Sequence, residues 1–407
     1  MGLFLHIDMN NFYASVECAE REELRYVPVA VAGNPKNRHG VVLAKNQIAK
    51  TYGVKTGDTI WEAQMKAPGI VFVPPQFDKY DKISKKMFEI CNDYTHRVEP
   101  FGPDECWLDC TETTRLLGSG REIADELRGR VKRELGITAS VGVSFSKMFA
   151  KLGSDMKKPD GTTVITEENF RNIVWPLPAQ ELCGVGRKTI EKLHRLNLFT
   201  IGELARSDER VIGKILGKPG RDLRKIARGE SEYGVREAVT QREVKSVGHG
   251  LTALRDLTSD EDISALIYYL SELIAVRLRK YGFKASGVSV SARAFDLSRQ
   301  GRQTTLPYPV ASTKDIAVVA KALLDTFHDG RPLRSIDVSA FSLSKATAPL
   351  QLSFFDNSLN SAKNERLDVT MEKIRAKYGR NSLLRASEVN QDIFIDKDVG
   401  DFLPFKR

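Results

Sequence analysis

Apolar residues recur along the chain in two rhythms, one of strands and one of helices. Leu3-Phe4-Leu5-His6-Ile7 is a nearly continuous apolar run, as in a strand buried on both faces, and Asp8 stands at its exit. Asn11 is placed to cap a helix over 12–24, and Val29 to Ala32 and Val41 to Ala44 read as strands around the polar turn 33–40. A short helix from Asn46 to Tyr52 ends at Gly53, and the strand Val71 to Val73 is stopped by Pro74-Pro75. Over 77–97, Tyr80, Ile83, Met87, Ile90 and Tyr94 alternate at three and four, the spacing of a helix with one buried face. Ile123, Leu127, Val131 and Leu135 repeat that pattern, and Gly136 closes their helix before the alternating strand 137–143.

Between these helices, Val98 to Phe101 and Cys106 to Cys110 flank a Gly102-Pro103 turn signal, so the segment reads as a hairpin with Asp104 and Glu105 at its bend. The order strand, helix, strand, strand, helix, strand, with residues 11–75 inserted after the first strand, is the ferredoxin-like split βαβ plan. Right-handed crossover places the third strand antiparallel between the first and second. Asp8 and the Asp104/Glu105 pair therefore fall on one edge of the sheet.

The later chain changes character. Residues 167–234 are short-period and helical, 235–244 form a charged linker, and 245–345 hold a separate α/β unit with helices over 259–281 and 313–328 and strands over 286–294, 304–308 and 335–343. In the tail, Leu367, Met371, Ile374 and Tyr378 have helical spacing. The fold class is thus α+β and multidomain.

With 407 residues, 41% hydrophobic and 28% charged, the chain can bury several cores. A net charge of +9 and a pI near 9.1 suit a polyanionic partner, although a surplus of this size is equally a solubility feature. Cys18, Cys91, Cys106, Cys110 and Cys183 form no CxxC pair, and the histidines lack metal-site spacing, which points to a reducing cytoplasm without structural zinc. No apolar run reaches membrane-spanning length, and no targeting signal is evident.

Charge matters most at the predicted sheet edge. Three adjacent carboxylates raise one another's pKa unless a cation compensates, and Mg²⁺ takes such hard oxygen ligands together with water and phosphates. Two Mg²⁺ ions, with Mn²⁺ as a substitute, would clamp an in-line phosphoryl transfer. Taken singly, each acid is equally a solvated turn residue. Ser146 is placed to cap a helix bearing Lys147 and Lys151, with Lys157 and Lys158 in the loop before Pro159; these amines suit a triphosphate or a DNA backbone, or simply a solvated face.

The motifs Ile7-Asp8-Met9-Asn10-Asn11-Phe12-Tyr13-Ala14-Ser15-Val16-Glu17, Asp104-Glu105-Cys106-Trp107-Leu108-Asp109 and Ser140 to Gly161, in this order, resemble those of Y-family translesion DNA polymerases, bacterial DNA polymerase IV-like enzymes above all. The resemblance implies a palm over 1–10 and 76–166, fingers over 11–75, a helix-hairpin-helix thumb over 167–234, a little finger over 245–345 and a tail over 346–407. It implies that Asp8, Asp104 and Glu105 are the catalytic metal-binding acids, joined by the Met9 carbonyl. Phe12, Tyr13, Gln47, Lys50 and Lys158 would bind the nucleotide, with Tyr13 as the steric gate against a 2′-hydroxyl. The chain departs from the common pattern: Gln47 and Lys50 stand where many relatives have tyrosine and arginine, and Asn10 replaces a frequent aspartate.

DNA contacts are expected from Lys147, Lys151, Gly184, Gly186, Lys188, Lys245, Arg255, Arg293 and Arg331. Gln351-Leu352-Ser353-Phe354-Phe355 resembles the pentapeptide that docks bacterial polymerases on the sliding clamp. The implied function is error-prone, template-directed DNA synthesis across damage by a cytoplasmic monomer without proofreading. Its substrates are primed template DNA and deoxynucleoside triphosphates. The alternatives are a catalytically dormant DNA- and clamp-binding accessory protein and a two-metal nuclease.

Overall fold

The N-terminal apolar run forms the central strand of a five-stranded sheet in the order Val98–Pro100, Glu105–Asp109, Phe4–Met9, Ala139–Ser144, Thr162–Ile165. The structure is a computed structural model that describes residues 2–33, 40–230, 234–235, 244–348, 358–379 and 382–386. These fall into two compact units, one containing the described residues up to 235 and the other those from 244 onward. Phe4–Met9 is antiparallel to both neighbours. Leu5, Ile7 and Met9 are fully buried, as their continuous apolar pattern requires.

Helices Phe77–Asn92 and Gly120–Leu135 seal the sheet through Met87, Ile90, Ile123, Leu127 and Val131. A third helix, Lys147–Met156, lies against the strands Phe4–Met9 and Ala139–Ser144. That approach depends on Gly142, where a Cβ would come within 1.9 Å of the Ala150 carbonyl oxygen. Gly142 therefore sets how closely Lys151 can approach the strand ends. The same helix contributes Phe149 and Leu152 to the core of the helical region Phe170–Ile173, Arg187–His194, Ile201–Arg206 and Glu209–Ala227.

Local details differ from the sequence expectations. Asn11 adopts a left-handed φ of 51° and makes no side-chain cap, and Ser146 also makes none. The helix expected over 77–97 stops at Asn92, and the first helix ends at Glu20 before a 3₁₀ turn, Glu22–Tyr26. Ser119 and Glu122, by contrast, form a full capping box on Gly120–Leu135. Strand Thr162–Ile165 extends the sheet beyond the predicted plan. The inserted region builds a small sheet in the order Val42–Lys45, Val29–Ala32, Val71–Val73, with helices Gln47–Thr51 and Ile60–Lys66.

The second unit has a four-stranded antiparallel sheet in the order Arg299–Val310, Phe283–Ala294, Leu333–Lys345, Ser246–Leu257, packed on helices Asp260–Lys280 and Thr313–Asp325. Strand Ser246–Leu257 stands where the sequence pattern indicates no element, because its polar, glycine-bearing residues alternate weakly between buried and exposed. Helix Ser358–Tyr378 packs against Thr313–Asp325 in the same unit. Among the described residues, no helix is long and apolar enough to cross a membrane.

Candidate active site

Strand register brings the three carboxylates together. Asp8 lies directly opposite Glu105, and the Met9 amide donates to the Asp104 carbonyl at 2.9 Å. Lys151 Nζ stands 2.6 Å from Glu105 Oε2 and 3.5 Å from Asp8 Oδ2, while Lys158 Nζ lies 2.8 Å from Asp8 Oδ1. Both lysines also pair with Asp155. Two amines thus offset the acids directly. Among the described residues, no three His, Cys, Asp or Glu side chains stand as a group that could hold one ion.

The acids are not electrostatically equal. Burial, followed by the charges of Asp8 and Glu105, pushes the Asp104 carboxyl up to about 7. Burial also opposes ionisation of Glu105, but His6 and Lys151 outweigh it and hold that carboxyl below its ordinary range. His6 is completely buried, with Nδ1 2.9 Å from Ser154 Oγ and Nε2 3.4 Å from Glu105 Oε2. Sequence reasoning passed over this histidine because it sits inside an apolar run. Its only signal was a polar residue at a position where the pattern demands an apolar one.

The loop carrying Lys158 is fixed by Asn10. The Asn10 side-chain oxygen accepts from the Asp160 amide at 2.9 Å and from Thr138 Oγ1 at 3.0 Å, and its Nδ2 donates to Ser140 Oγ at 3.0 Å. Arg128 holds Asp160 from the other side, through the Asp160 carbonyl at 2.6 Å and its carboxylate at 2.8 Å. Asn10 therefore ties the end of the first strand to the loop whose amine reaches Asp8.

A cleft of about 460 Å³ opens beside the acids, lined in part by Asp8, Phe12, Tyr13, Lys45, Asp104 and Lys158. The Tyr13 ring stacks on Tyr80 at 4.3 Å and 17°, and the Tyr80 hydroxyl donates to buried Glu17 at 2.7 Å. Phe12 is buried beside it, 5.3 Å away. Gln47 and Lys50 are exposed and do not line the cleft, whereas Lys45 and Thr56 do.

Of the residues expected to meet DNA, Lys147 is turned inward. It is buried against Glu99 at 2.5 Å and lies over the Trp107 ring at 4.3 Å, so it offers no amine to a backbone phosphate. Lys151 is taken into the acid cluster. Gly184, Gly186 and Lys188 are exposed, with Gly184 at a φ of 95° and Gly186 at the start of helix Arg187–His194. Lys245 is exposed; Arg255 grips Asp262, Arg293 donates to the Leu297 carbonyl, and Arg331 pairs with Asp296 and Asp329. Residues 351–355 lie outside the described residues.

Residues 7–155 match the impB/mucB/samB family, and residues 244–354 match the C-terminal domain of that family. The chain belongs to the impB/mucB/samB family. It is 45% identical to the DNA polymerase IV of Acetivibrio thermocellus over 94% of this chain and 96% of that one. It is 36% identical to DNA polymerase IV 1 of Bacillus subtilis over 96% and 94%. A solved Y-family DNA polymerase chimera shares the fold at a TM-score of 0.74 and 23% identity, covering 84% of this chain and 98% of that one. This impB/mucB/samB member is thus a DNA-directed DNA polymerase, and it has the multidomain α+β fold of the solved Y-family polymerase, as expected from its sequence.

Proposed function

We propose that the chain extends primers across damaged template bases at the palm edge formed by Asp8, Asp104 and Glu105. The observation that carries this reading is the register of Asp8 against Glu105 beside a cleft floored by Tyr13. Paired with Lys151 and Lys158 the carboxylates do not converge on one ion position, but their chemistry suits hard divalent cations: carboxylates of adjacent strand ends, one of them raised to about 7 by burial and by its acidic neighbours. Asp8, Asp104, Glu105 and the Met9 carbonyl would hold two Mg²⁺ ions, or Mn²⁺ in their place. Such ions, when bound, supply activation of the primer hydroxyl and neutralisation of the leaving pyrophosphate.

The chain's own residues do the positioning. Lys158, fixed through Asn10, faces the incoming triphosphate. Tyr13, held by its stack on Tyr80, excludes a 2′-hydroxyl. The primer 3′-oxygen bonds to the α-phosphorus as the bridging bond to the β-phosphate breaks, and pyrophosphate leaves. The exposed Gly184 and Gly186 amides and Lys188 suit a duplex phosphate, and Lys245, Arg255, Arg293 and Arg331 suit backbone contacts of the little finger. Residues 351–355 would dock the enzyme on the sliding clamp, and the protein would work as a cytoplasmic monomer without proofreading.

Primer extension on undamaged and abasic templates with Mg²⁺, comparing wild type with Asp104→Ala/Glu105→Ala, tests the reading. Wild type should extend both templates and the double variant neither. If wild type binds primed DNA yet extends neither template, a DNA-binding accessory role replaces the polymerase reading.

A further inference from the structure

The fingers wall of the cleft carries a cation that neither the acid cluster nor the Lys158 loop explains. Strand Val42–Lys45 ends on Lys45, which pairs across the small sheet with Ala30 and lines the same cleft as Asp8, Tyr13, Asp104 and Lys158. Its Nζ donates to Thr56 Oγ1 at 3.0 Å, and Thr56 also lines the cleft. The two residues come from different segments of the fingers and meet only on this wall.

The charged side chains acting on Lys45 are two amines, Lys50 and Lys158, and one carboxylate, Asp58. Burial, then the charge of Lys50, lowers its pKa; Asp58 opposes them and Lys158 adds to them. Asp58 is itself engaged by Lys66 at 2.6 Å and by the Lys55 amide at 2.7 Å. Two amines, Lys45 and Lys158, line one open cleft, and the acid that acts on Lys45 is already engaged by Lys66, so this wall suits a multiply charged anion. The Thr56 hydroxyl, which accepts from Lys45, still has a proton to donate.

We propose that Lys45, braced by Thr56, is a phosphate-binding residue of this polymerase that contacts the β- and γ-phosphates of the incoming nucleotide from the fingers side. Lys158 meets the same triphosphate from the palm side. The inference rests on the polymerase reading and sharpens it, because the wall residues are Lys45 and Thr56 rather than the exposed Gln47 and Lys50. Pyrophosphate, with the same chemistry, would occupy the site as product.

Single-nucleotide incorporation by the full chain on primed DNA tests this, with Lys45→Met keeping the aliphatic stem and Lys45→Arg keeping the charge. Loss of one charged phosphate contact raises the nucleotide KM by about tenfold or more. In Lys45→Met, kcat should stay within about twofold and pyrophosphate inhibition should weaken in parallel. Lys45→Arg should recover most of the KM. An unchanged KM in Lys45→Met, or a rise that arginine does not reverse, overturns the assignment and leaves Lys45 a packing residue. If wild type itself does not extend primers, the polymerase reading falls and this inference falls with it.

Discussion

At the palm edge, buried Asp8 and half-buried Glu105 are paired with the lysines Lys151 and Lys158; in the second unit, buried Asp368 and Glu272 are paired with arginines. Arg279 spreads its guanidinium over Asp368, Glu372 and the Ala311 carbonyl, and Arg385 reaches Asp368 at 2.6 Å. Asp368 also accepts from the Thr313 amide at 2.7 Å, at the start of helix Thr313–Asp325. The difference follows from the cations. A guanidinium is a planar fork whose several bonds fix a geometry, whereas an ammonium is a point charge on a flexible stem. Arginines staple helix Ser358–Tyr378 to its unit. Lys151 and Lys158 pair with Asp8 and Glu105 as such point charges.

The largest effect expected from breaking this contrast is at Asp8. Asp8→Ala should lower primer extension by about 10³-fold or more in a single-turnover assay. Thermal unfolding of the variant should leave the second unit unchanged.

Asp104→Asn sharpens the electrostatic side. A carboxyl raised from 3.8 to about 7 by folding binds its proton more tightly in the folded state. Its ionisation penalty is therefore complete above about pH 7, fades as pH falls, and is gone below 3.8, where both states are protonated. The variant should be more stable than wild type by up to about 4 kcal/mol at pH 8 and nearly equal at pH 4. Urea unfolding at both pH values checks this.

In the second unit, Asp368→Ala should cost about 2–4 kcal/mol, because it strips a buried arginine pair and a helix-end amide of their acceptor. The denaturation midpoint of that unit should fall while kcat on undamaged template holds. The smallest effect is at Asn10. Asn10→Ala should destabilise the fold by about 1–2 kcal/mol and raise the nucleotide KM through the loosened Lys158 loop, whereas Asn10→Asp, which keeps the acceptor, should retain most of the stability.

Much of this was legible in the sequence wherever burial is two-sided or a turn is chemically marked. Leu3 to Ile7, the Gly102-Pro103 bend and the split βαβ order were enough to put Asp8 on one sheet edge with the Asp104/Glu105 pair; the register of Asp8 against Glu105 came from the structure. Strand Thr162–Ile165 escaped because it is four residues long and follows a lysine-rich loop. Strand Ser246–Leu257 escaped because an exposed edge strand need not alternate cleanly. The inward turn of Lys147 depends on Glu99 and Trp107, which arrive from other strands and leave no local trace. Lys45 was passed over for the same reason: Thr56 and Lys158 meet it only in the folded chain.

The most direct measurement is thermal unfolding at pH 8 with and without millimolar Mg²⁺, for wild type, Asp104→Asn and Asp368→Ala. If the palm acids are a cation site held by exchangeable lysines, Mg²⁺ raises the Tm of the first unit in wild type and in Asp368→Ala, and raises it much less in Asp104→Asn. A first unit indifferent to Mg²⁺, or an Asp104→Asn variant that responds as wild type does, would contradict the account.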